Sequence, residues 1–373
     1  MDQPSFYRPL TVAAQTAYAQ LFEAAQNQRA LGPSIAGGSF ARKEIKGKTY
    51  WYFQFREPGS RAPRQIYVGP DSEPLDRLRQ RYAQNATVKE DLGKLAAVAF
   101  VHELRDCTPQ HLRVIERLEN YGFFRAGGVL VGTHAFLAMG NLLGARWSDA
   151  NQTLDIDFAH PGDRVSMALP ANVKIQTGPA IESLQEGFIP LLNRNGKPNG
   201  SFAHPKQSGF TPDFLTPAGR KPSLESEKLG IALTPVKMIE YLLEDYAQAV
   251  VFHPSAGVAL VSIPSPARYA VHKLMVSAMR SIEQRSKSAK DIIQAACIID
   301  HSLHNAHDLR RLEAALKDAA ARGKAWRSRL DQGLLALGER APALAQVLQG
   351  KLSGYAILRA VRPSTPTRIM RSP

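Results

Sequence analysis

Leu130-Val131-Gly132-Thr133, followed after a short helix-like run by Asp155-Ile156-Asp157, decides how this 373-residue chain is read. In a strand, successive side chains alternate faces, so Asp155 and Asp157 should point one way and Leu154, Ile156 and Phe158 the other. Neighbouring carboxylates repel each other, which costs free energy unless a cation lies between them. All-oxygen ligands suit Mg²⁺, which takes one or two carboxylates and fills its shell with water and substrate phosphates. A glycine turn that opens a helix offers backbone N–H groups to those phosphates. Together these residues point to metal-assisted transfer of a nucleotidyl group.

Bulk properties set the frame. Hydrophobic residues make up 44% of the chain and charged residues 21%, an ordinary globular composition. No apolar run reaches the roughly 20 residues needed to span a bilayer, so no membrane partner is expected. Met1-Asp2-Gln3-Pro4 does not begin a basic-then-apolar leader, so a signal peptide is not expected. Cys107 and Cys297 lack metal-ligand spacing and read as buried free thiols of a reducing compartment, the cytoplasm. The net charge of +14 favours a polyanionic partner such as nucleic acid, with solubility alone as the plain alternative.

Periodicity gives an α+β organisation. Residues 1–100 read as N-terminal helices around a basic, aromatic β-hairpin. Its runs are Thr49-Tyr50-Trp51-Tyr52-Phe53-Gln54-Phe55 and Arg64-Gln65-Ile66-Tyr67-Val68-Gly69, joined at Glu57-Pro58-Gly59-Ser60. Arg42, Lys43, Lys46, Lys48, Arg56, Arg61 and Arg64 decorate it. Either these basic residues hold a nucleic-acid backbone while rings stack on bases, or Trp51, Phe53 and Phe55 pack and the charges are merely solvated. Thr108-Pro109 is a helix start. Residues 101–264 form the expected catalytic domain: strands at 128–132, 152–159 and 210–215, a helix near 134–143, a hairpin around Asn195-Gly196, and two strands near 247–252 and 257–263. Residues 265–355 read as a C-terminal helical bundle, and 356–373 as a flexible tail.

These segments resemble the DNA polymerase β-like nucleotidyltransferase superfamily. Gly132-Thr133 resembles its glycine-hydroxyl turn, Asp155/Asp157 its Asp-x-Asp strand, and Asp213 in Phe210-Thr211-Pro212-Asp213-Phe214 its third carboxylate. More narrowly, Leu130-Val131-Gly132-Thr133-His134-Ala135-Phe136, Asp213-Phe214-Leu215-Thr216-Pro217 and Ala270-Val271-His272-Lys273-Leu274 resemble bacterial nucleotidyltransferase-fold proteins of little-characterised function. Lys290-Asp291-Ile292-Ile293 resembles a helix of abortive-infection toxin nucleotidyltransferases. The resemblance implies a mixed sheet with flanking helices. Three departures stand out: threonine replaces the commoner serine, residues 144–151 would form an extra loop, and Pro212 should place its strand at a sheet edge.

The resemblance also implies roles. Asp155, Asp157 and Asp213 would be catalytic and would hold Mg²⁺ or Mn²⁺. Gly132 and Thr133 would receive the NTP phosphates, with Lys273 as a point charge on the triphosphate or leaving pyrophosphate. Arg280, seven residues further, should share the helical face of Lys273. Lys290 and Asp291 would add a phosphate contact and an acceptor, or form an ordinary surface ion pair. The implied reaction moves NMP from an NTP to an acceptor, most plausibly RNA at a tRNA end, in a toxin-like or defence role. A protein hydroxyl as acceptor, an antitoxin partner and a non-catalytic nucleic-acid-binding module on the same fold stay open. His134 and His272 read as packing or hydrogen-bonding residues, and Gly127-Gly128 as a turn. The helical residues Arg310, Arg311, Lys317, Arg322, Lys324, Arg327 and Arg329 line an acceptor groove or a solvated face. No G-x-x-x-x-G-K-[ST] sequence occurs, which argues against a P-loop enzyme.

Overall fold

The structure, a computed structural model, describes residues 5–31, 38–55, 64–148, 154–162, 177–182, 184, 186–219, 224–227 and 229–351. The 57–60 turn, Arg56, Arg61 and the 356–373 tail lie outside the described residues. In chain order the elements are β1 (Tyr7–Pro9), α1 (Val12–Leu31), β2 (Gly38–Ile45), β3 (Lys48–Phe55), β4 (Arg64–Pro70), α2 (Glu73–Val101), α3 (Pro109–Asn120), β5 (Val129–Leu130), α4 (Gly132–Leu142), β6 (Ala145–Trp147), β7 (Ile156–Ala159) and α5 (Thr177–Glu182). They continue with β8 (Ile189–Leu192), β9 (Pro198–Ala203), β10 (Pro212–Pro217), β11 (Leu224–Ser226), β12 (Ile231–Val236), α6 (Glu240–Leu243), β13 (Tyr246–His253), β14 (Gly257–Pro264), α7 (Pro266–Ser277), α8 (Arg285–Leu303), α9 (Ala306–Ala321), α10 (Lys324–Arg340) and α11 (Pro342–Lys351). This is the expected α+β architecture, a mixed sheet with flanking helices.

The central sheet runs β11-β12-β10-β7-β5, with the β8–β9 hairpin attached through β9 to β10. β10 is parallel to both β7 and β12, while β5 pairs antiparallel with β7. Pro212 therefore does not mark an edge. It is the first residue of an interior strand, a place where a missing N–H is tolerated. Alternation sets the faces: in β10, Pro212, Phe214 and Thr216 are buried while Asp213, Leu215 and Pro217 are half-buried. Phe158 and Phe214 are stacked at 5.2 Å, and Phe123 meets both rings edge-on.

The β13–β14 hairpin separates two apolar clusters by period-two alternation. Ala249, Val251, Ala259, Val261 and Ile263 face the main core, whereas Val250, Phe252, Val258 and Leu260 face α1 and α2. Thr108 caps α3 as expected, accepting from His111 N–H at 3.2 Å.

Two local expectations change. The N-terminal hairpin is a three-stranded sheet, β2-β3-β4, because Lys46 and Gly47 both take positive φ and close a two-residue turn between β2 and β3. Residues 145–147 are a strand paired antiparallel with β1, not a loop. Cys107 sits in the link before α3 and Cys297 in α8; both are buried free thiols. No helix among the described residues is long and apolar enough to cross a membrane.

Phe158 is fully buried between Phe123 and Phe214. Phe158→Ala should lower stability by about 3–5 kcal/mol, measured by urea unfolding.

Candidate functional site

Parallel pairing of β7 with β10 sets Asp157 directly beside Asp213 in the ladder. Both lie on the face opposite Phe158 and Phe214, so burying those rings sends both carboxylates to the same side. Asp155 falls one residue before β7 rather than inside it, and Leu154, expected on the buried face, is 61% exposed. The Asp155 charge still acts on both Asp157 and Asp213. Among the described residues no three His, Cys, Asp or Glu side chains form a ready-made metal-ligand group. The three aspartates share one neighbourhood without being drawn to a point.

The electrostatics follow from that crowding. Burial, with the Asp213 charge second, pushes the Asp157 carboxyl up from 3.8 to about 6, against the opposing pull of Lys273. Burial also raises Asp213, while a hydrogen bond from Ser201, its partner in β9, draws it down. The Oδ1 atom of Asp213 is buried and makes no hydrogen bond, a costly condition that a ligand would relieve.

The glycine turn meets this pair at close quarters. Gly132 has φ +65°, and a Cβ added there would lie 2.1 Å from Asp157 Oδ2. Only glycine fits, for backbone conformation and space together. Val131 N–H donates to the Asp157 carbonyl at 2.8 Å, and α4 begins at Gly132 without a side-chain cap. Its positive end therefore lies beside the acidic pair with first-turn N–H groups to offer. Thr133 follows, buried.

Helices α7 and α8 bring the cations. Lys273 Nζ contacts Asp291 Oδ1 at 2.6 Å, and Arg280 Nε contacts Asp291 Oδ2 at 3.0 Å. Lys273, Arg280 and Asp291 thus do come together, and the Asp291 side chain is only 3% exposed. It is no surface ion pair. Arg280 lies beyond the end of α7, so it reaches Asp291 from the following turn and not along the helical face of Lys273. Lys290 is half-buried, and its charge is felt at His134.

Several neighbours escaped the sequence reading. Lys287 lowers the carboxyls of both Asp157 and Asp213. Its signal was present: Lys287, Asp291 and Gln294 stand at i, i+4 and i+7 on α8. The Tyr269 hydroxyl donates to the Gly132 carbonyl at 2.8 Å and lies 3.1 Å from the Gln294 side-chain amide. That ring ties the glycine turn to α7 and α8. His134 and His111 share a hydrogen bond of 2.8 Å. Burial holds both rings neutral, lowering His134 to about 3, and His111 feels Asp155. His272 is buried with both ring nitrogens unpartnered. Gly127 is a left-handed turn residue, as expected. Of the helical basic residues, Arg322 binds Glu244 and Asp318, Arg311 binds Asp245, and Lys317 binds Glu313, so these three hold neighbouring acids.

A nucleotidyltransferase family profile matches residues 110–321, and the chain belongs to that family. The matched span contains all of the residues just described except Arg322. Among solved structures, an antigenic nucleotidyltransferase-like protein from Paracoccidioides brasiliensis is similar at 13% identity and a TM-score of 0.32, over 65% of this chain and 91% of that one. No curated protein matches the chain significantly.

Three expectations follow. Asp157 binds its proton more tightly folded than unfolded, so metal-free stability should fall as pH rises from about 4 to about 6 and level off above. Because Asp157 retains partial exposure, Asp157→Asn should raise stability at neutral pH by only about 1–2 kcal/mol and leave it unchanged below the ordinary carboxylate range. Urea titrations in EDTA across that range read both. Gly132→Ala should cost about 1–2 kcal/mol from its backbone conformation alone and displace Asp157 as well. The same titration, repeated with added Mg²⁺, should show less stabilisation by the ion than in the wild type.

Proposed function

We propose that this protein transfers a nucleoside monophosphate from an NTP to an acceptor hydroxyl and releases pyrophosphate. The observation that carries the reading is the Asp157–Asp213 pair, set side by side against Gly132 at the open end of α4. Family membership supports an NTP as the substrate. The residues fit a hard divalent cation. Asp155, Asp157 and Asp213 supply only oxygen, burial and then the Asp213 charge raise the Asp157 carboxyl, and Asp213 Oδ1 lacks a partner. These three would hold Mg²⁺ or Mn²⁺. Bound there, the ion would neutralise phosphate charge and acidify the attacking hydroxyl.

The chain's own groups do the rest. First-turn N–H groups of α4 receive phosphate oxygens. Lys273, fixed by Asp291, and Lys287 offset charge as it develops on the leaving pyrophosphate. The acceptor oxygen bonds to the α-phosphorus while the bond to the bridging oxygen of the β-phosphate breaks. Pyrophosphate leaves with that electron pair, and the hydroxyl proton passes to Asp213.

The acceptor in this proposal is RNA, at a tRNA end, a choice that the net charge of +14 supports. The toxin-like role belongs to the same proposal and rests on the Lys290-Asp291-Ile292-Ile293 segment alone. A binding module without catalysis is disfavoured, because holding a polyanion gains nothing from three crowded carboxylates.

Incubation with each labelled NTP, Mg²⁺ or Mn²⁺ and total RNA should label RNA. EDTA should abolish the signal, as should Asp155→Ala combined with Asp157→Ala in a protein whose circular dichroism is unchanged. Labelling that survives the double substitution would overturn the site assignment.

A further inference from the structure

We propose that the outward face of the β2-β3-β4 sheet is a stacking platform for single-stranded RNA, built from Tyr50, Tyr52 and Tyr67 with Lys43 at its centre; the choice of RNA rests on the acceptor reading above. Cross-strand register divides the sheet into two faces. Phe40, Trp51 and Phe53 share one, because Phe40 pairs with Phe53 and Arg42 with Trp51. That face is taken by α2. Tyr82 meets Phe40 and Phe53 edge-on, the guanidinium of Arg79 lies 3.6 Å from the Trp51 ring centre, and Tyr82 bonds to the Gly38 carbonyl.

The other face carries Tyr50, paired with Lys43, and Tyr52, paired with both Ala41 and Tyr67. Its rings form a row, with Tyr67 5.5 Å from Tyr52 and 6.2 Å from Tyr50. Tyr67 is 53% exposed, and Ser39, Lys43, Lys48 and Gln65 are exposed beside it. Tyr50 and Tyr52 are half-buried, and Tyr67 is the most open of the three rings. Bases have flat faces that such rings bind without regard to sequence.

Charge selects the occupant. The outward face carries Lys43 and Lys48 with no acid among the described residues, Lys46 stands in the adjoining turn, and Arg42, Arg64 and Glu44 lie on the opposite face. Lys43 Nζ sits 4.4 Å over the Tyr52 ring and donates to Gln65 Oε1 at 2.7 Å. An ammonium group is thereby held among the rings, where the phosphate of a stacked nucleotide passes. Duplex bases are stacked on one another and hide their faces, so the platform requires a single strand. The amides of Gln54 and Gln65 and the tyrosine hydroxyls can bond a ribose 2′-hydroxyl, which DNA lacks.

Fluorescence anisotropy of a labelled single-stranded RNA of about 12 nucleotides, titrated with the full chain, tests the proposal. Wild type should bind in a salt-sensitive manner. Tyr52→Ala with Tyr67→Ala should weaken binding about tenfold or more, while Tyr52→Phe with Tyr67→Phe keeps the rings and the bulk of the affinity. Asp155→Asn with Asp157→Asn should leave binding intact. An alanine variant that binds like wild type, a wild type that binds no RNA, or equal binding of the matching DNA strand would overturn the proposal. The two readings fail separately. RNA bound through the tyrosines with no NTP turnover sinks the enzyme and keeps the platform, and NTP-dependent labelling of protein without RNA binding does the reverse.

Discussion

The parallel register between β7 and β10 is the constraint on which the site depends. Ile156, Phe158 and Phe214 must all enter the core, and each is at most 1% exposed. A one-residue slip would drive these side chains to the other face, a loss of about 1.5–3 kcal/mol for each large apolar group. The register is therefore fixed by apolar packing, and packing alone forces Asp157 against Asp213. Like charges in a half-buried setting are the by-product of a core that could hardly be arranged otherwise. Burial first, and the Asp213 charge second, raise the Asp157 carboxyl above its ordinary range.

The fold answers the crowded charge from three directions. The positive end of α4 arrives from the glycine turn, Lys273 from α7 and Lys287 from α8. Asp291 has a different task. It is buried and grips both Lys273 and Arg280. Buried ion pairs contribute little net stability, since desolvation cancels much of the attraction. What Asp291 does provide is position: a lysine with four rotatable bonds is held near Asp157 and not left to wander in solvent. Tyr269 adds a second tie by joining Gly132 to the same helix pair. Glycine turn, acidic pair and cation carriers are thus locked to one another through side chains whose partners are distant in sequence.

That distance explains what could be read from the sequence and what could not. Thr108-Pro109, the hairpin around Asn195-Gly196 and the helical stretch after Pro266 were legible because each is encoded within a few residues. The Gly132 turn and the Ile156-Asp157-Phe158 alternation were legible for the same reason, whereas Asp155 and Leu154 fall outside β7. β2 went unread because the Lys46-Gly47 turn sits in a run of basic residues that looked like decoration. The edge assigned to Pro212 failed because the position of a strand within a sheet is set by its partners, and β10 acquires β12 and β9 from further along and behind. Arg280 was placed on a helix because no glycine or proline marks the end of α7. Tyr269 and Gly132 stand 137 residues apart, and nothing local at either one announces the other. Lys287 was within reach, since its helical spacing to Asp291 could have been counted.

The charge distribution gives the last step. A chain of net charge +14 gathers polyanions to its surface, yet its glycine turn opens onto three aspartates. A phosphate approaching them meets repulsion that the general field does not remove, because short-range charges outweigh distant ones screened by salt. A surface shaped only to hold nucleic acid would have no use for such a point. A site that accepts a triphosphate together with its divalent cation needs one, because the cation turns mutual repulsion into a bridge between carboxylate and phosphate. Under the proposed function, long-range attraction and local acidity would cease to conflict: the first would deliver the anion, and the second would admit it only with a metal.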